Sequence, residues 1–150
     1  MNRQRDHYQW AHPLRVRYSE IDYQGIVFNA HYLTYFDVAL TEFMREQDFD
    51  FTALVRDEKL DFHLVKSTVE YLRPIRADQL IEIAVRPGRL GQSSMTWNLA
   101  IFPGGETEGQ ADCLACGEII WVCSKVGEHK SHPLPALFRT KLQPLVETEG

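Results

Sequence analysis

The sequence has no run approaching the roughly 18 to 20 consecutive apolar residues that a membrane-spanning helix needs, so neither such a helix nor a membrane partner is expected. Its opening, Met1-Asn2-Arg3-Gln4-Arg5-Asp6-His7, carries charge with no apolar stretch behind it and does not read as a secretory leader. Cysteine is scarce, at Cys113, Cys116 and Cys123 only. An odd number without an export signal points to reduced thiols and a cytoplasmic setting. Cys113 and Cys116 form a lone Cys-x-x-Cys, with no second pair and no histidine at a zinc-finger spacing, so no metal site is expected there. In a strand, residues three apart face opposite ways, which makes the pair small structural residues. An excess of basic charge is also missing. The formal net charge is -5, which argues against a nucleic-acid partner. No internal repeat, low-complexity tract or linker divides the chain. Its 150 residues suit one domain, 1–150, large enough to bury a core without disulfides or metals.

Against these absences stands a clear order of elements. Residues 14–20 alternate, with Leu14, Val16 and Tyr18 on one face and Arg15, Arg17 and Ser19 on the other, as in a half-buried strand. A loop with Gly25 follows. Residues 31–47 turn helical: Tyr32, Phe36, Ala39, Leu40 and Phe43 recur at helical spacing, Leu33, Tyr35 and Met44 widen the face, and Thr34, Asp37, Thr41 and Arg45 form a polar stripe. Asn29 is placed to act as its N-cap. So wide an apolar arc predicts a helix wrapped by other structure. Residues 51–58 suggest a short second helix. Strands follow at 62–72 (Val65, Val69 and Tyr71 on one side), 79–86 (Ile81, Ile83, Val85) and 93–102 (Met95, Trp97, Leu99, Ile101). In a last strand, 109–123, the row Ala111, Cys113, Ala115, Gly117, Ile119, Trp121 is mostly small, as suits a face that a helix approaches closely. A short helix is expected from Ala136 to Leu142. Strands joined by short turns favour an antiparallel sheet, and one helix against it is an α+β layer architecture. Self-association would cover the sheet's open face and edges.

The segment from Val16 to Phe36 contains Asp22, then Gly25 after two residues, an apolar step to Val27, and Tyr32 opening the long helix. This pattern resembles the signature of the 4-hydroxybenzoyl-CoA thioesterase family, and Thr68-Val69-Glu70-Tyr71 followed by Pro74 is similar to a strand of that family. The resemblance covers about residues 13–125. It implies a hotdog fold, in which a curved antiparallel β-sheet wraps one long central helix. It also implies hydrolysis of acyl-CoA thioesters without metal or organic cofactor, and assembly as homodimers or homotetramers with the site at the dimer interface.

Thioester hydrolysis needs an oxygen nucleophile and a stabiliser of the negative charge that grows on the carbonyl oxygen. Asp22 suits the first task, by direct attack or as general base on water; an aspartate beside Gly25 can equally be a turn residue. The amino end of the helix suits the second, because its free N–H groups and positive dipole end converge there. The resemblance assigns the carbonyl-polarising role to the backbone N–H at Asn29. A branch of the family carries histidine at that position. Here the nearest histidine is His31, which could position water or lie idle on the first turn. Glu20 could pair with Asp22 and raise one carboxyl pKa, or be a solvated residue at a strand end. Asp37 and Glu42 on the helix rank behind Asp22. The substrate would meet Tyr23, Gly25, Val27, Phe28 and Tyr32, with Phe36 and Val65 as core residues that could also line an acyl pocket. Arg73, Arg76, Arg86 and Arg89 gather near strand ends, and the turn from Arg89 to Ser93 and Ser94 corresponds to where relatives hold the nucleotide; arginine suits phosphate.

Three other readings remain open: an acyl-thioester hydratase or dehydratase, a non-catalytic acyl-CoA sensor, and a subunit that serves assembly alone. Asp22 and His31 are nine positions apart, too far for the usual hydratase pair, and no room remains in the chain for a DNA-binding module.

Overall fold

The computed structural model describes residues 1–105 and 112–146. Five strands form one antiparallel sheet in the order β1-β3-β4-β5-β2: β1 Trp10–Arg15, β2 Leu60–Tyr71, β3 Leu80–Leu90, β4 Ser94–Pro103 and β5 Ala115–Lys125. The long helix α1 is His31–Glu46; Phe51–Ala53 (α2) runs into a wider turn at Leu54–Glu58, and α3 is Ala136–Leu142. This is the α+β hotdog arrangement the sequence predicts. Among the described residues no helix is long and apolar enough to cross a membrane.

The inner face of the sheet takes α1. Tyr32, Tyr35, Phe36, Ala39, Leu40, Phe43 and Met44 are buried on the helix. They pack with Ile81, Ile83 and Val85 of β3, Met95, Trp97, Leu99 and Ile101 of β4, and Ala115 and Ile119 of β5. At Gly117 the Phe36 ring lies close against the sheet. A Cβ there would lie 2.5 Å from the Phe36 ring and 2.5 Å from the Thr68 carbonyl oxygen. Part of the outer face is covered by the chain's own first residues. Tyr8 is buried with Ala84, Ala100, Phe102, Cys113 and Cys116, its ring edge-on to Phe102. Arg5 pairs with Glu82 of β3 at 3.1 Å, and Arg3 with Glu70 of β2 at 2.7 Å.

Several expectations change. The first strand is Trp10–Arg15, and residues 18–20 form a helical turn instead of continuing it, because the Glu20 carboxylate reaches back to the Arg17 N–H. Tyr18 is exposed as a result. Asn29 does not cap α1: the cap residue is Ala30, with no side-chain hydrogen bond. A bulge between Leu64 and Lys66 breaks the alternation of β2, so Val65 is exposed and does not share the burial of Val69. β3 continues past residue 86 to Leu90, because a second irregularity, between Pro87 and Arg89, absorbs the proline without ending the strand. Cys113 precedes β5 and lies in the same outer cluster as Cys116, not on the opposite face. Ala111 lies outside the described residues.

Candidate active site

The loop bearing Asp22 is built by its own hydrogen bonds. The Asp22 N–H donates to the Ile26 carbonyl at 2.9 Å and the Gly25 N–H to the Asp22 carbonyl at 3.0 Å. One carboxylate oxygen, Oδ1, accepts the Gln24 N–H at 2.8 Å. Asp22 therefore does hold a turn, as the plainer reading supposes. Its second oxygen, Oδ2, takes no hydrogen bond from any described residue, so half of the carboxylate stays available. Gly25 has φ +79, a left-handed conformation that favours glycine. The loop is then tied to the sheet: Val27 N–H donates to the Ile75 carbonyl at 2.8 Å, and Ile26 bridges to Arg76.

Asp22 opens onto a groove of about 320 Å³ lined by Gln24, Val27, Asn29, Tyr32, Tyr71 and Arg73 among others. The amino end of α1 forms one side. His31 N–H is used by the Phe28 carbonyl at 3.0 Å, whereas the N–H groups of Asn29 and Ala30 donate to no acceptor among the described residues. The Asn29 carbonyl accepts the Tyr71 hydroxyl at 3.1 Å, which hooks this corner to the end of β2. The Tyr71 and Tyr32 rings meet edge to face at 4.8 Å. Burial, with the neighbouring Tyr71 and the Asp22 charge, pushes the Tyr32 phenol up to about 12, so it stays a neutral donor at ordinary pH.

The structure thus brings together Asp22, Asn29, Val27 and Tyr32. Other candidates fall elsewhere. Tyr23 and Phe28 are exposed beside the groove without lining it. The His31 ring lies edge-on to Phe28, outside the groove lining. Phe36 is core, Asp37 is exposed on α1, and Glu42 is engaged by Arg45. The four arginines do not cluster: Arg73 lines the groove and pairs with Asp112 at 2.8 Å, Arg76 sits on the connection to β3, Arg86 is mid-strand bonded to the His7 carbonyl, and Arg89 is near the far end of β3. The turn with Ser93 and Ser94 is at that far end too. Eleven residues of β3 separate it from the Asp22 corner, on the order of 30 Å at a strand's rise per residue.

Glu20 is the residue that sequence reasoning misjudged. It is not solvated but only 6% exposed. Its Oε1 accepts both the Arg17 N–H at 2.8 Å and the Tyr35 hydroxyl at 3.0 Å, and its Oε2 accepts the Arg17 guanidinium at 3.2 Å. Burial alone would push this carboxyl up, but the Arg17 N–H, the Tyr35 hydroxyl and the Arg17 guanidinium together outweigh it and hold the group below its ordinary value. A readable signal existed: a glutamate three residues after Arg17 can close a turn, and Tyr35 brings a hydroxyl to the buried face of the helix.

With this geometry in place, comparison with known proteins is decisive. Residues 24–110 match the thioesterase superfamily family model, more than half of the chain. The chain is 30% identical to the acyl-CoA thioester hydrolase YbgC of Escherichia coli, over 85% of its own length and 90% of that protein's. The chain belongs to the thioesterase superfamily. This thioesterase also superposes on the PA5185 protein of Pseudomonas aeruginosa with a TM-score of 0.82 at 27% identity, covering 97% of each chain. It superposes on a 1,4-dihydroxy-2-naphthoyl-CoA thioesterase from Synechocystis with a TM-score of 0.81 at 17% identity, over 91% of this chain and 96% of that one, a likeness of fold. Asp22 itself lies two residues before the matched span of the family model.

Proposed function

We propose that this thioesterase hydrolyses acyl-CoA to a free acid and CoA, with Asp22 supplying the oxygen nucleophile and the amino end of α1 polarising the carbonyl. The observation that carries the reading is a single corner: an Asp22 Oδ2, and N–H groups of Asn29 and Ala30, that have no hydrogen-bond partner among the described residues, beside one groove. A thioester carbonyl bound there would accept the Asn29 N–H, and one such donor is worth on the order of 3 kcal/mol of barrier. Asp22 then either attacks the carbonyl carbon itself, giving an anhydride that water opens, or takes a proton from water as that water attacks. In both routes the C–S bond breaks and the thiolate of CoA leaves and is protonated. A hydratase would need an imidazole beside the carboxylate, and the His31 ring is turned to Phe28 instead.

The assembly belongs to the same reading. β2 is an edge strand of twelve residues with Leu64, Val65 and Tyr71 exposed. An unpaired strand edge with exposed apolar side chains favours pairing with a second copy. If the turn at Arg89, Ser93 and Ser94 holds the nucleotide, its separation from Asp22 means that a second copy must present it to the groove.

The test is Asp22→Asn, assayed by CoA release from a panel of acyl-CoAs of different length and aromaticity. A drop in kcat of about a hundredfold or more is expected, with fold and assembly unchanged. Near-native turnover on the best substrate would remove Asp22 from the chemistry.

A further inference from the structure

Asp22 and the Asn29 corner must keep a fixed separation for the proposed chemistry, yet they sit on a loop and on a chain segment just before a helix. Glu20 is bonded to both sides of this corner. Its backbone carbonyl accepts the Phe28 N–H at 2.9 Å, next to Asn29. Its Oε1 is shared by the Arg17 N–H at 2.8 Å, which closes the turn leading to Asp22, and by the Tyr35 hydroxyl at 3.0 Å, which belongs to the second turn of α1. One buried carboxylate therefore ties the strand exit, the reactive loop and the helix into a single unit. Among the described residues it is the one side chain whose hydrogen bonds join the Arg17 turn to α1, beside the backbone pairs that close the loop itself; the Asp22 side chain bonds there only to Gln24.

We infer that Glu20 is a positioning residue, whose Oε1 sets the register of the Asp22 loop against the amino end of α1 and so the distance between nucleophile and carbonyl-polarising N–H. This rests on the reading of Asp22 as the reacting group. The role belongs to the acceptor at Oε1 and not to the negative charge. The two bonds that span the elements both end on that atom, whereas Oε2 meets only the Arg17 guanidinium, whose side chain is 76% exposed. A displacement of about 1 Å between reacting groups costs on the order of a hundredfold in rate, so a loosened latch is read in kcat.

The discriminating set is Glu20→Gln, Glu20→Met, Tyr35→Phe, Asp22→Asn and Leu142→Ala, made in the full chain. kcat and KM are measured on benzoyl-CoA and hexanoyl-CoA, and melting temperature on the same samples. Gln keeps an acceptor where Oε1 stands, so Glu20→Gln should hold kcat within about threefold of native. Met fills the space without an acceptor, so Glu20→Met should lose tenfold or more in kcat with KM within threefold. Leu142, buried in α3 outside the groove, supplies a variant destabilised to a similar degree that keeps its kcat. If Glu20→Met does not fold, Tyr35→Phe is read in its place, with a several-fold fall in kcat expected. The inference is overturned if the variant that folds keeps native kcat, if Leu142→Ala falls as far, or if Glu20→Gln is as inactive as Asp22→Asn, since Glu20 would then be a chemical group. Retained turnover in Asp22→Asn instead sinks the catalytic reading itself, whatever Glu20 does.

Discussion

Gly117→Ala tests how closely α1 is held to the sheet. The added methyl carbon would stand 2.5 Å from the Phe36 Cε2 and 2.5 Å from the Thr68 carbonyl oxygen, where ordinary contact begins at 3.4 Å. Each neighbour must retreat by about 0.9 Å, and neither can do so alone. Phe36 is fully buried on α1, and Thr68 lies in the β2–β5 ladder where Val69 pairs with Gly117 itself. Overpacking of a tight core costs about 1–3 kcal/mol, and two rigid obstacles place this site at about 3 kcal/mol, or more. For a chain of this size that lowers the melting temperature by roughly 10 °C. Gly127→Ala is the comparison. Gly127 has φ +80 but nothing within 4 Å of a Cβ, so it meets only the left-handed strain of about 1 kcal/mol. Thermal unfolding followed by circular dichroism reads both. The reasoning is refuted if Gly117→Ala melts no lower than Gly127→Ala. Because Phe36 lies one turn beyond Tyr32, whatever displacement Gly117→Ala does cause should also lower kcat.

Two further outcomes follow. Glu20 has a carboxyl pKa below its ordinary value of 4.5, so the stabilisation it gives is fully present above that value and is lost as the pH falls through the depressed one. The gap in melting temperature between the native protein and Glu20→Gln should therefore narrow between pH 6 and pH 3, and a constant gap would contradict the bonding described for that carboxylate. Val65→Lys puts a charge on the exposed bulge of edge strand β2 and tests the proposed pairing of copies: in size-exclusion chromatography with light scattering the native chain should elute as an oligomer and the variant as a monomer; equal elution of the two would refute pairing through this edge.

The layer architecture was legible because periodicity survives wherever burial is one-sided. The apolar arc of 31–47 became α1, the small row near Gly117 became the close approach, and the Ala136–Leu142 helix appeared with the expected bounds. What was not legible depended on bonds between distant residues. Residues 14–20 alternate like a strand, but a glutamate bonding back three positions folds Tyr18–Glu20 into a turn. Asn29 has the chemistry of a cap, but its corner is fixed through its carbonyl by Tyr71, forty-two positions away. Pro87 and Gly88 look like the end of a strand, and a bulge carries β3 through them. At the candidate site, the structure sets the Asp22 loop beside the helix end, as the motif suggests, whereas the arginines, near one another in sequence, are spread by the sheet along its length.

The outer face of the sheet gives the molecule an internal reporter. Cys113 and Cys116 lie beneath Tyr8, and burial pushes the Cys113 thiol up to about 11 and raises that of Cys116 as well. α1 and its core are on the other side of the sheet. The segment from Met1 to Tyr8 is held there by Tyr8 and by the Arg3–Glu70 and Arg5–Glu82 pairs, so an opening confined to it would bare these thiols without disturbing the helix. Thiol labelling in native buffer would count such openings, and its rate would separate them from unfolding of the half that holds α1.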